Sequence, residues 1–138
     1  AVFGPEELNI SKNRKSGFHK ALQENIICDI CYAKDAKAAY DFVNEQIAMH
    51  QTAAFFGISD EVLLGIITAI KENRLSKKTI VIGFSDGLTM PFLHKQLHYI
   101  FHDGKIVGDQ AAQLILRHIE ESPVDKQDVE IKVELFGA

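Results

Sequence analysis

The sequence predicts an α/β fold: a three-layer, mostly parallel sheet flanked by helices. Two observations carry that expectation. Strand-like and helix-like segments alternate along the chain, the succession that builds a parallel sheet with right-handed crossovers and helices on both sides. The run from Phe55 to Lys71, followed by Thr79 to Asp86, also reads as one continuous unit. It is a buried strand, a polar turn, an amphipathic helix, and a second buried strand that ends in another polar turn.

Each element has its own signal. Val2-Phe3 is the stub of a first strand. Ser11 to Gln23 reads as a helix with Phe18, Ala21 and Leu22 on one face. Gly17 is unfavourable in a helix interior and suggests close packing on a neighbour. Ile26 to Tyr32 is the second strand. Asp35 is placed to cap the next helix, which runs to about Met49 with Tyr40, Val43 and Ile47 inward. Thr52 to Gly57 is the third strand. Ser59 or Asp60 caps the third helix, whose Leu63, Ile66, Ile67 and Ile70 form a stripe. Thr79 to Phe84, nearly all apolar, is a fourth strand with both faces covered. Pro91 to His102 is ambiguous, although Leu97 to Phe101 is dense in strand formers. Lys105 to Glu121 is a helix with Val107, Ala111, Leu114 and Ile115 inward, and Pro123 follows its end. Val129 to Leu135 alternates strictly, as a strand with one wet face does.

Composition narrows the function classes. The 138 residues amount to one domain or part of a larger one, with ordinary apolar (46%) and charged (25%) content. A net charge of −4 argues against a nucleic-acid surface, which needs a clustered basic face. No apolar stretch approaches the about 20 residues that cross a bilayer. The opening Ala1 to Glu7 lacks the basic segment and apolar core of a signal peptide, which points to a cytoplasmic location. Cys28 and Cys31 form a CxxC, but they lie in a strand-like segment where residues three apart face opposite ways. They are read as buried, inert thiols.

The alternation places four polar turns at one sheet edge: Glu6 to Asn9, Lys34-Asp35, Ile58 to Asp60, and Ser85 to Gly87. In open α/β sheets that edge binds ligands. Ser59, Asp60, Ser85 and Asp86 are therefore candidate rim residues. Arg14 can present a planar fork of donors to ligand oxygens; the alternative is a solvated helix arginine. No GxGxxG or GxxxxGK[ST] occurs. Gly83 to Gly87 matches the letters of a GxSxG nucleophile elbow, so a small α/β hydrolase using Ser85 is one alternative, though no helix signal follows the serine directly. His94, His98 and His102 would share a face on a helix and could bind zinc there. On a strand they are surface or half-buried histidines. No metal, cofactor or catalytic residue is assigned.

Several segments resemble a known family. Gly4-Pro-Glu-Glu, then Ser11-x-x-Arg14-x-x-Gly17-Phe18-x-x-Ala21-Leu22, resembles the opening of the C-terminal subdomain of LacI/GalR-type transcriptional regulators. Ala53 to Gly65 is similar to that family's AvFaxNDxxAxG segment. Ile80 to Asp86 resembles its isviGFDD. Leu97-x-x-Ile100, then Gly108-x-x-Ala111-Ala112-x-Leu114-Ile115, is similar to its LTTv…mGxxAaxlL. Order and spacing agree along essentially the whole chain.

The resemblance implies a type I periplasmic-binding-protein-like effector domain of two α/β subdomains with a cleft between them. Residues 1–138 would be its C-terminal portion, with residues 97–121 belonging to the absent N-terminal subdomain. That helix would swing out, swap with another copy or dock in self-association. The implied function is non-enzymatic sensing of a sugar or related small polar metabolite, with Arg14, Ser59, Asp60, Ser85 and Asp86 as effector-binding residues. Arg14 takes the place of the arginine that holds effector hydroxyls, and Asp60 and Asp86 match family aspartates. Ser59 and Ser85 replace an asparagine and an aspartate, and Ala36 stands where some members place a stacking aromatic. The implied partners are operator DNA, through a helix-turn-helix with no counterpart in these residues, and a second copy in a homodimer. A membrane is not among them. A sugar-binding transport protein of the same fold is the other reading of the resemblance.

Overall fold

A computed structural model of the chain describes residues 1–22, 26, 28–49, 54–120 and 129–137. Its elements follow the order β1 (Val2–Phe3), α1 (Asn9–Ala21), β2 (Cys31–Tyr32), α2 (Ala36–Met49), β3 (Ala54–Gly57), α3 (Asp60–Glu72), β4 (Ile80–Ser85), α4 (Met90–Leu93), β5 (Leu97–Phe101), α5 (Gly104–Glu120) and β6 (Glu134–Phe136). The six strands form one sheet in the order β2-β1-β3-β4-β5-β6. All pairings are parallel except β5–β6. The predicted α/β class with a mostly parallel sheet is what the chain adopts.

The core lies between the sheet and the α2–α3 pair. Leu63, Ile66, Ile67 and Ile70 are buried, as the helical spacing predicted, against Val43 of α2 and Phe55 and Val81 of the sheet. Two glycines set how closely α3 sits. Gly57 and Gly83 are register partners across β3 and β4. A Cβ on Gly83 would lie 2.4 Å from the Gly57 carbonyl oxygen and 2.7 Å from a Leu63 methyl, so this layer closes only without side chains there. On the opposite sheet face, Phe18 of α1 packs on Phe3 and Phe56, with ring centroids 5.8 and 4.8 Å away. Strand alternation puts Phe56 on the side away from Gly57, so α1 covers the face that α3 does not.

Several elements differ from their sequence reading. The second strand spans Cys31–Tyr32 rather than Ile26 to Tyr32, because β1 offers only Val2 and Phe3 as ladder partners. Cys28 and Cys31 are half-buried free thiols rather than fully buried ones, with Cys31 packed against the margin of the core. Ala21 is exposed, and a Cβ on Gly17 would meet nothing within 4 Å, so Gly17 does not mark a close helix contact. One face of β4 is open: Ile80 and Ile82 are 49% and 37% exposed, since α1 reaches only as far as Phe84 and no described helix lies over them. The third strand's predicted start, Thr52-Ala53, and the proline after α5, Pro123, lie outside the described residues.

The C-terminal third changes most. Leu97–Phe101, expected to belong to an absent subdomain, pairs with β4 along its whole length and is part of this sheet. Its dense strand formers find a ready parallel neighbour there. The helix that follows buries no residue: Val107 and Ile115, expected inward, are 44% and 61% exposed, because no described element packs over that face. The alternating stretch before Leu135 pairs only at Glu134–Phe136, and all three residues are exposed.

Candidate functional site

Four parallel strands, β2, β1, β3 and β4, end on the same edge, and the site is built from the segments that leave them. After β3, Ser59 takes an extended conformation and its Oγ accepts from the Val62 amide at 3.3 Å, capping α3. Asp60 and Glu61 in the first turn and Lys71 in the last complement the helix dipole. The serine, not the aspartate, is the cap.

Asp60 has a different task. Its Oδ1 accepts from the Ser85 hydroxyl at 2.5 Å and its Oδ2 from the Asp86 amide at 3.0 Å. One carboxylate thus ties the start of α3 to the end of β4. Ser85 is fully buried, and its Oγ accepts in turn from the Gly87 amide at 3.0 Å. Gly87 has φ +74°, a left-handed conformation that suits glycine, and Asp86 Oδ1 accepts from the Leu88 amide at 2.9 Å. The Ser85–Leu88 turn is therefore held from both ends by short polar side chains.

Arg14 spans the two corners. Its Nη1 donates to the carbonyl of Ile58, the residue before Ser59. Its guanidinium lies 3.8 Å from the centroid of the ring of Phe84, the residue before Ser85. Burial lowers its pKa from the ordinary arginine value, though not far enough for the group to lose its proton. Beside it in sequence, Lys15 donates to the Tyr32 hydroxyl and lies 4.9 Å from the tyrosine ring centroid. Asp35, at the end of β2, accepts from the Ala38 amide at 2.8 Å and caps α2 as predicted.

The five sequence candidates are thus brought together: Asp60, Ser85 and Asp86 touch directly, and Arg14 contacts the residues next to Ser59 and Ser85. Phe84, Tyr32, Lys15 and the Ile58 carbonyl are parts of the arrangement that sequence reasoning did not select. The available signal was the aromatic residue at β2, β3 and β4 positions facing α1. The Ala36 position offers no stacking ring.

Other motifs do not assemble. A nucleophile elbow needs an exposed serine at a strand-to-helix turn. Ser85 is buried, donates to a carboxylate, and is followed by a helix only at Met90, which removes support for the hydrolase alternative. The histidine series falls on a turn, β5 and the residue after it rather than on one helix, and among the described residues no three metal-ligating side chains cluster. A hollow of 270 Å³ lined by Lys77, Lys78, Ile80, Gln96 and His98 lies at the opposite end of β4, away from the corners. Among the described residues no helix is long and apolar enough to cross a membrane.

No protein-family model matches this sequence, and no curated protein is significantly similar to it. Solved structures share its fold. A dimeric Lac repressor with an 11-residue C-terminal deletion superposes with a TM-score of 0.83 at 21% identity over 97% of this chain and 51% of that one. The transcription regulator CcpA of Lactococcus lactis gives 0.84 at 15% identity, covering 99% and 52%. A carbohydrate transporter solute-binding protein from Agrobacterium radiobacter, in complex with D-arabinose, gives 0.87 at 19% identity, covering 99% and 49%. The chain spans about half the length of each of these structures. Its fold is that of one part of the LacI-type regulators and periplasmic-binding-protein-like sugar-binding proteins.

Proposed function

We propose that this chain is the ligand-sensing portion of a LacI-type regulator, binding a sugar or related small polar metabolite without chemical conversion. The observation that carries the proposal is the convergence of Arg14 with the Ser59-Asp60 and Ser85-Asp86 corners at the C-terminal edge of the parallel strands. That edge is where open α/β sheets bind ligands. In this reading the corners and Arg14 form one wall of a cleft, and an opposing subdomain supplies the other. Effector binding would shift the angle between subdomains and so the spacing of two DNA-binding heads in a homodimer.

The exposed apolar face of α5, with Val107, Ile115 and Ile119, fits packing against that opposing subdomain. Burying it is favourable at roughly 25 cal/mol per Å². The 138-residue chain should therefore self-associate through α5, and sedimentation showing a monomer would count against this assignment. The ligand site is tested by amide chemical-shift mapping of the chain with a panel of monosaccharides. Shifts confined to residues 4–14, 58–60 and 84–88 support it; shifts only elsewhere refute it.

A sugar-binding transport protein of the same fold is the second reading, supported by the likeness to the D-arabinose complex. The residues encoded upstream of Ala1 distinguish the two: a helix-turn-helix supports the regulator, a signal peptide the transporter.

A further inference from the structure

We propose that the ligand of this edge carries a carboxylate and that Arg14 pairs with it. The proposal rests on the effector reading above and specifies the chemistry of that same site.

Arg14 is a half-buried permanent cation whose local partners are neutral. One of its donors goes to the Ile58 carbonyl and its flat face to the Phe84 ring. Among the described residues the only ion pair is Lys37–Asp41, exposed on α2. Every aspartate at the edge is directed to other donors. Asp60 holds the Ser85 hydroxyl and the Asp86 amide, Asp86 holds the Leu88 amide, and Asp35 holds the Ala38 amide. Burial acts on Arg14 without an opposing acid. A partly desolvated charge in this position is unfavourable until a partner arrives. A ligand with hydroxyls alone would desolvate it further without neutralising it.

A carboxylate suits this group better than a phosphate. Guanidinium and carboxylate are both planar and meet through two parallel hydrogen bonds. With one edge of Arg14 directed to Ile58, another edge remains for such a fork. The cation beside it in sequence, Lys15, is engaged by Tyr32, which leaves the planar fork of Arg14 as the feature a carboxylate matches best. The ligand class is then a sugar acid or a comparable small hydroxylated carboxylate.

The test is calorimetric titration of the 138-residue chain with D-galacturonate and D-gluconate, their neutral parents D-galactose and D-glucose, and glucose 6-phosphate. At least one acid should bind about tenfold more tightly than its neutral parent, the difference between a charge-assisted and a neutral hydrogen-bond set. That preference should vanish in Arg14→Gln and shrink in Arg14→Lys, which keeps the charge and loses the fork. Circular dichroism confirms that each variant folds. Neutral sugars binding as tightly as the acids would overturn the carboxylate proposal and leave the effector reading standing. So would the phosphorylated sugar binding best, or the acid preference surviving in Arg14→Gln. Binding of none of the five would count against both.

Discussion

The Asp60 carboxylate receives the Ser85 hydroxyl at 2.5 Å, and with that bond the first turn of α3 is fastened to the last residue of β4. Two corners far apart in sequence become one surface because a single side chain accepts from both the Ser85 hydroxyl and the Asp86 amide. Ser85→Ala removes a donor from Asp60 and the acceptor of the Gly87 amide at a fully buried side chain. The expected loss is about 1–3 kcal/mol in urea unfolding. A variant as stable as the parent would show that the fastening contributes little.

Ser59 acts on the same helix in another way. Ser59→Ala should destabilise the protein by about 1 kcal/mol, because the Val62 amide loses its acceptor. Ser59→Asn should lie within a few tenths of the parent, since asparagine caps as well as serine. Thermal unfolding of the pair separates the cap from any ligand role, as both can then be compared for binding.

Two helix glycines predict opposite outcomes for the same substitution. Gly17→Ala should stabilise by about 0.5–1 kcal/mol, as the new methyl enters open space in a helix interior. Gly65→Ala should destabilise by about 1–3 kcal/mol or more, because its Cβ would fall 2.1 Å from the Ala36 carbonyl oxygen. Equal effects in denaturant titration would contradict this packing.

His94 should make stability fall in mild acid. It is 4% exposed, its Nε2 has no hydrogen-bond partner, and burial pushes its pKa below the ordinary value near 6.5. Nearby Lys71 acts in the same direction, and a Thr79 backbone contact opposes them. The unfolded chain therefore binds the proton more readily than the folded one. The stabilisation is complete above about pH 6.5 and is lost as pH falls toward the lowered folded-state value. His94→Phe should flatten the fall of the unfolding free energy below about pH 6.5; an unchanged slope would assign the pH dependence elsewhere.

Much of this was legible in the sequence where local rules and tertiary packing agree. The Leu63, Ile66, Ile67 and Ile70 stripe, the Asp35 cap and the run of short polar residues after β3 and β4 are all stated by spacing alone, and each stands as expected. The pairing of Asp60 with Ser85 was not legible, because a carboxylate in the first turn of a helix has the same appearance whether it faces solvent, the dipole or a neighbouring strand. The aromatics facing α1 were a signal only in hindsight: Phe84, which carries the guanidinium, has the look of ordinary core in a buried strand. The apolar period of α5 correctly announced a helix but not a partner, as periodicity records which face wants burial and not whether the burying surface lies within the same residues. Ile80 and Ile82 misled for the same reason.

The missing side chain at Gly65 has a consequence for how ligand news could spread. Backbone contact between α2 and α3 leaves no compressible layer of side chains there, so the two helices are obliged to travel together. A nudge to the Ser59-Asp60 corner would be handed sideways to Asp35, so these two corners would tilt as a plank does, not bend like a spring.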